Sequence, residues 1–299
     1  MDGAVSTYER FTVPVDGGEL TVGGWGPPGA PTVVLIHGIT SNHLSLAVVA
    51  EALPEFRVLA PDLRGRGRSS VLPGPWGMAR HAADVIALIE NAPIDNAGPV
   101  VLAGHSMGGF VVTEVARTRP DLVRGVVLID GGLPLVLPAG LDLATVAEQG
   151  LGPAMARLRR TFPSRSAYRE FWRPHPALDP AWGTAIETYL DYDLVGDEPE
   201  LRSSVVAESA LQDLADEFVR PDGGGLFGAF AGPARLLLVD RGLMNEPPGL
   251  YPPAERERWA AAEPGLVMET VPDLNHYTLV LRPDGVARVA AAVRAVAHP

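Results

Sequence analysis

Val100-Val101-Leu102-Ala103-Gly104-His105-Ser106-Met107-Gly108-Gly109-Phe110-Val111-Val112-Thr113-Glu114-Val115-Ala116 is the stretch on which the architecture turns. It opens as a short, continuous apolar run of the kind found in strands buried on both faces, and closes as a helix. The bend between them has the form G-x-S-x-G. A serine held at a strand-to-helix bend needs small residues two before and two after it, because the backbone there is strained and closely packed. Gly104, Gly108 and Gly109 meet that need.

Outward from the bend, similar apolar runs recur at 33–36, 56–60, 126–129, 236–239 and 266–271. Ahead of them, 11–15 and 19–22 flank Asp16-Gly17-Gly18, which predicts a β-hairpin. Helix-length stretches at 44–53, 76–92, 107–118, 252–262 and 284–297 separate most of the runs. The 76–92 stretch sets Ala83, Ile86, Ala87 and Glu90 at helical spacing, with Asp84-Val85 and Leu88-Ile89 widening the apolar face. This alternation predicts an α/β fold, a mostly parallel central sheet with helices on both faces. The rhythm stops after Ile129. Residues 133–232 hold no comparable run, yet carry Tyr168, Trp172, Trp182 and Tyr189. A structureless loop of that length is implausible. The expectation is a helical cap, or lid, at 133–232, inserted into a core made of 1–132 and 233–299. Gly223-Gly224-Gly225 reads as a flexible joint within it.

Composition removes whole classes of chemistry. All 24 basic residues among the 299 are arginine, so Schiff-base catalysis, pyridoxal chemistry and a phosphate-loop lysine are excluded. Without cysteine there is no thiolate nucleophile, disulfide or cysteine-bound metal. A formal charge of −12 disfavours nucleic acid as a partner. No apolar run approaches the ~18 residues of a membrane span. Met1-Asp2-Gly3-Ala4-Val5 has neither a basic head nor an apolar stretch, which predicts no secretory leader and a soluble, cytoplasmic protein. No Gly-x-Gly-x-x-Gly follows the first buried run, and no metal-ligand spacing occurs, so neither cofactor nor metal is expected. The arginine-rich run 62–68 lacks interleaved aromatics and reads as a loop held by local ion pairs of Asp62 and Arg64.

Four motifs follow one another in chain order: His37-Gly38-Ile39-Thr40, Asp62-Leu63-Arg64-Gly65-Arg66-Gly67-Arg68-Ser69, the serine bend, and Asn275-His276-Tyr277. With them the chain resembles an α/β-hydrolase over nearly its whole length outside the insertion. The resemblance implies that Ser106 is a nucleophile and that the backbone N–H groups of Ile39 and Met107 form an oxyanion hole. A serine hydroxyl needs a base to take its proton. His276 fits, standing after the last strand run and before the final helix, whereas His43, His81, His175 and His298 lack such a position. His37 reads as a structural loop residue, and His105 as a side chain turned away from the bend.

The acid that orients His276 stays open. In many relatives it follows the penultimate strand in a Gly-x-x-Asp pattern, but here Asn245 stands at that spacing and cannot carry the charge. Asp130, directly after the run 126–129, occupies the other known position, leaving Glu246 and Asp240 as alternatives. Asp273 reads as a residue shaping the turn before His276. The expected activity is cleavage of carboxylic esters through Ser106, His276 and Asp130, with Trp172, Trp182 and Tyr189 as pocket candidates for a small-molecule substrate. Thioester, lactone and carbon–carbon bond hydrolysis use the same triad, and a non-catalytic ligand-binding protein on the same fold is the alternative of another class. The oligomeric state is not written in the sequence.

Overall fold

The computed structural model describes residues 8–93, 98–136, 140, 142–218 and 225–298. The reading of residues 1–5, and most of that of 223–225, lies outside them. The central sheet has eight strands in the order β1-β2-β4-β3-β5-β6-β9-β10. These are β1 Glu9–Val15, β2 Gly18–Trp25, β3 Thr32–Ile36, β4 Arg57–Pro61, β5 Val100–His105, β6 Val123–Ile129, β9 Ala234–Arg241 and β10 Leu266–Asn275. A two-stranded pair, β7 Leu194–Val195 and β8 Arg202–Ser203, lies in the segment between β6 and β9. β1 and β2 form the hairpin and β2 runs antiparallel to β4; every other pairing in the main sheet is parallel. The strand order therefore reverses between β3 and β5, which opens a crevice at their carboxyl ends.

Strand alternation sorts the core into two layers. Val34, Ile36, Leu102, Val126, Leu128, Leu236 and Leu238 face one way, against α2 (Met78–Asn91), α3 (Met107–Thr118) and Trp259 of α8 (Pro253–Ala262). Val33, Leu35, Val101, Ala103, Val127, Ile129, Leu237 and Val239 face the other way, against α1 (Ala47–Glu51), α9 (Thr278–Leu281) and α10 (Pro283–Ala297). The expected helix at 44–53 is shorter than its pattern, because His43–Leu46 is a 3₁₀ turn leading into α1.

The apolar face expected for the 76–92 stretch is rotated. Met78, His81, Ala82, Asp84, Val85, Leu88 and Ile89 are buried, while Ala83 and Glu90 are exposed. The buried Asp84 explains the rotation: it receives a forked pair of hydrogen bonds from the fully buried Arg64, at 2.8 and 2.9 Å. The buried face thus centres on the positions read as widening it, Asp84, Val85, Leu88 and Ile89, and not on Ala83 and Glu90.

Between β6 and β9 lie α4 (Leu143–Ala156), α5 (Arg165–Trp172), α6 (Thr184–Asp193) and α7 (Ala207–Asp216). Asp142 caps α4 by accepting from the Thr145 N–H at 2.8 Å, and Ser164 caps α5 by accepting from Ala167 at 3.1 Å. Gly152, at φ 34° and ψ −109°, breaks α4 just before Pro153, whose missing N–H suits it to restart a helix. Phe162, Tyr168, Trp172, Leu178, Ile186, Leu190, Leu194 and Leu201 form a third apolar cluster inside this segment. The segment also docks on the sheet layer: Asp213 and Asp216 of α7 accept from the N–H groups of Gly77 at 2.6 Å and Met78 at 3.0 Å, capping α2, which has no side-chain cap of its own. Among the described residues no helix is long and apolar enough to cross a membrane.

Candidate active site

The loops that leave the carboxyl ends of β3, β5, β6 and β10 converge over the crevice. Ser106 connects β5 to α3 at φ 56° and ψ −125°, a conformation that costs a non-glycine residue about 1–3 kcal/mol. The surrounding glycines make that bend possible. A Cβ on Gly104 would lie 2.1 Å from the Gly108 carbonyl oxygen, one on Gly108 would lie 2.2 Å from that of Ile36, and one on Gly131 would lie 2.1 Å from that of Ser106. Gly38 approaches from the β3 loop, where an added Cβ would stand 3.1 Å from Ser106 Cβ and 3.5 Å from its Oγ.

His276 follows β10. The strand breaks register between Val271 and Asn275, with Asp273 at φ 61° inside the irregularity, as its turn-shaping reading requires. Asn275 then pins the turn: its side-chain oxygen accepts from the N–H groups of Tyr277 at 3.0 Å and Thr278 at 2.9 Å. Its amide donates to Asn245 Oδ1 and to the Ala177 carbonyl, both at 3.1 Å. Asn245, which stands where an acid could have been, therefore meets the neighbouring asparagine.

Of the three carboxylates left open by the sequence, Asp130 meets the imidazole. His276 Nδ1 donates to Asp130 Oδ2 at 2.7 Å, and the Asp130 side chain is fully buried. Asp130 sits at φ 45°, with its N–H donating to the Leu237 carbonyl at 2.8 Å and its Oδ1 accepting from the Val239 N–H at 3.4 Å. The carboxylate thus reaches across β9 towards β10. Asp240 pairs with Arg256 at the surface, 2.9 Å apart, and Glu246 is exposed.

Ser106 and His276 line one cavity with Gly38, Ile39, Thr40, Ser41, Ser45, His105, Leu151, Trp172, Leu178, Tyr189, Leu243, Tyr277, Val280 and Leu281. It encloses about 620 Å³ between atoms, part of it open to solvent. Met107, the second expected oxyanion donor, begins α3, so its N–H has no carbonyl four residues back to bond. Two pocket candidates, Trp172 and Tyr189, line the cavity. Trp182 does not: its indole N–H bonds Glu187 at 3.2 Å, its ring lies 4.7 Å from the Arg173 guanidinium, and both belong to a separate surface groove.

Two histidines near the site are held neutral. His37 donates from Nδ1 to the Gly38 carbonyl at 2.8 Å and accepts the Leu63 N–H on Nε2 at 3.0 Å, as a structural residue would. Burial pushes it down to about 3. His105 is not turned away from the bend. Its Nε2 donates to the His276 carbonyl at 2.9 Å and its ring centre lies 4.6 Å from that of His276. Burial holds it well below the ordinary histidine range, and the nearby His276 adds to this. His105 is still a paired residue of β5, and the sequence pattern missed its contact because the His276 carbonyl lies 171 positions away.

The motif 62–68 is a set of buried anchors, and the ion pairs of Asp62 and Arg64 are not local, since they are made with His43 and Asp84. Asp62 bonds His43 Nδ1 at 2.7 Å, the Arg68 N–H at 2.8 Å and the Tyr192 hydroxyl at 2.6 Å. Despite the opposing cost of burial, the charge and hydrogen bond of His43 and these other donors hold its carboxyl down at about 2.

Comparisons with known proteins agree with this architecture. The model of the alpha/beta hydrolase family matches residues 33–289. Lipase LipV of Mycobacterium tuberculosis is 36% identical over 145 residues, covering 48% of this chain and 54% of that protein. The chain spans about half the length of the curated relatives it matches first. A 2-(acetamidomethylene)succinate hydrolase of Mesorhizobium japonicum is 28% identical over 271 residues, 90% of each chain. The thioesterase domain from the curacin biosynthetic pathway superposes with a TM-score of 0.74 at 21% identity, over 96% of this chain and 99% of that one, a likeness of fold.

Proposed function

Because the chain belongs to the alpha/beta hydrolase family, we infer that it is a serine hydrolase of carboxylic esters, acting through Ser106, His276 and Asp130. The observation that carries this reading is the 2.7 Å bond from Asp130 to His276 Nδ1, with the same imidazole and the Ser106 side chain lining one cavity. Donation from Nδ1 fixes the tautomer and leaves Nε2 as the basic nitrogen. His276 takes the Ser106 proton as Oγ forms a bond to the acyl carbon, and the Asp130 carboxylate stabilises the imidazolium. The carbonyl oxygen gains the charge and is met by the N–H groups of Ile39 and Met107. Collapse breaks the carbon–oxygen bond to the alcohol, which leaves with the proton from His276. Water, deprotonated by the same nitrogen, then releases the acid and frees Ser106. In this reading 133–232 is a cap over the core of 1–132 and 233–299, and it supplies Leu151, Trp172, Leu178 and Tyr189 to the cavity.

The lining also selects among esters. Among the described residues it carries no arginine, aspartate or glutamate, and burial raises its tyrosines, Tyr189 and Tyr277, so that they stay neutral. A carboxylate on the acyl part would lose its water without meeting a counter-charge, a penalty of several kcal/mol. The favoured substrate is therefore an uncharged ester with an apolar acyl group. This argues against carrying over the dicarboxylate in the Mesorhizobium relative's name.

The test is hydrolysis of p-nitrophenyl acetate, butyrate and octanoate beside a mono-succinyl ester, a lactone and an acyl thioester, together with fluorophosphonate labelling. Turnover of the neutral esters and labelling should both vanish in Ser106→Ala. Full activity in that variant would overturn the reading, and preference for the succinyl ester would overturn the substrate class.

A further inference from the structure

Three consecutive peptide planes of the β3 loop are each anchored at the carbonyl. The Gly38 carbonyl accepts from His37 Nδ1 at 2.8 Å and from the Ser41 N–H at 3.2 Å. The Ile39 carbonyl accepts from Arg66 Nε at 2.8 Å, and the Thr40 carbonyl from Arg157 Nη2 at 2.5 Å. Both guanidiniums are fully buried. An arginine in such a place needs a carboxylate, because an unpaired buried charge costs several kcal/mol. Arg66 finds Asp213 at 2.5 Å, and Arg157 finds Asp193 at 3.2 Å with the Tyr168 hydroxyl at 2.8 Å.

Asp213, Arg157, Asp193 and Tyr168 all come from the segment between β6 and β9. Asp213 is itself fixed, accepting from the Gly77 N–H at 2.6 Å and from His81 Nε2 at 3.0 Å. Arg66 also donates from Nη1 to the Arg64 carbonyl at 2.9 Å, and its Nη2 reaches Met107 Sδ at 3.8 Å. One guanidinium thus touches both residues whose N–H groups serve the oxyanion in the reading above. The Ile39 N–H shares its peptide plane with the Gly38 carbonyl, and the two planes that follow are held by Arg66 and Arg157, so the loop cannot turn that N–H aside without breaking a buried bond. Donors fixed in advance need no reorganisation as charge develops, which is where such groups gain their effect.

We propose that Arg66 and Arg157 are positioning residues for the oxyanion loop, and that the inserted segment, through Asp213 and Asp193, clamps that loop as well as walling the cavity. The proposal rests on the ester-hydrolase reading of the site. It makes the insertion part of the rate machinery: its carboxylates act on the reaction through two arginines that never touch substrate.

Arg66→Lys and Arg157→Lys test it. Lysine keeps the charge beside the carboxylate, but its ammonium lacks the planar fork that spans carboxylate and carbonyl together. Arg64→Lys is the control, since Arg64 is equally buried and paired with Asp84 but bonds the Asp16 and Pro73 carbonyls, away from the loop. The measurements are kcat and KM on p-nitrophenyl butyrate, Tm, and inhibition by an aryl trifluoromethyl ketone, whose adduct with Ser106 places an oxyanion in the hole.

Arg66→Lys and Arg157→Lys should lower kcat about tenfold or more, with KM within about threefold, and weaken the ketone by a similar factor. Arg64→Lys should lower Tm while kcat stays within about twofold. The proposal is overturned if both loop variants fold and keep wild-type kcat and ketone affinity, or if Arg64→Lys loses kcat as they do. Should a lysine variant not fold, Asp213→Asn and Asp193→Asn replace it under the same criteria. A wild type inert to esters and to fluorophosphonate would instead refute the reading of the site, and the clamp with it, before any variant is compared.

Discussion

Ser106 and His276 were legible one residue at a time, because each is marked by its immediate neighbours: glycines around a strand-to-helix bend, and an asparagine turn at the end of a strand. Asp130 was not singled out in this way. Its partner lies 146 positions away, and three carboxylates stood near the ends of suitable strands. The buried 2.7 Å contact singles it out, since an imidazolium is stabilised by a carboxylate it touches and barely by one exposed to water. Asp130→Asn should lower kcat by about 10³–10⁴, because the amide favours the wrong tautomer of His276. Asp240→Asn and Glu246→Gln should leave kcat within about twofold, both side chains being exposed. Steady-state kinetics on one aryl ester checks all three, and a crippled Glu246→Gln would reassign the acid.

Strands and helices were readable where burial is uniform and ambiguous where a polar anchor interrupts it. The runs at 33–36, 100–103, 126–129 and 236–239 became central strands because they are apolar towards both layers. The apolar face of α2 was centred on Ala83 and Glu90, both exposed, because His81 and Asp84 are held in the interior by Asp213 and Arg64, and no periodicity in apolar residues can register an ion pair. The start of α2 shows the same limit, since its cap arrives from α7. The loop after β9 places Leu243 in the cavity wall, half-buried and outside the apolar clusters. Leu243→Trp should therefore cost little stability while filling space. Its expected outcome is a fall of about tenfold or more in kcat/KM for the octanoate with little change for the acetate, read from the acyl-length series.

Across the molecule, several ionisable groups are buried in their neutral forms, which ties stability to pH. Burial lowers His37 to about 3 and His175 to about 4, and holds His105 well below 6.5. Each binds a proton more readily unfolded, so each contributes stability that is full above pH 6.5 and lost on acidification. Glu217 has the opposite sign. Burial and Asp213 raise it to about 8, so its contribution is present below pH 4.5 and is lost as pH rises through 8. Near pH 5.5 the histidines outnumber the one glutamate, so unfolding should take up protons. Stability should then fall between pH 6 and pH 5, measured from urea midpoints at the two values. Equal midpoints would show that these histidines are not buried neutral.

The sequence alone marked the sheet and most of its helices, the serine bend, the histidine turn and the long helical stretch between β6 and β9. These follow from local rules of apolar spacing, glycine at close approaches and chain order. It also excluded lysine and cysteine chemistry outright. Folding settled which carboxylate meets His276, which aromatic rings of the insertion line the cavity, and which arginines hold the Ile39 and Thr40 carbonyls. Those are contacts between residues far apart in the chain. Such contacts depend on where buried charges find partners, and a linear pattern records residue types without recording which of them meet.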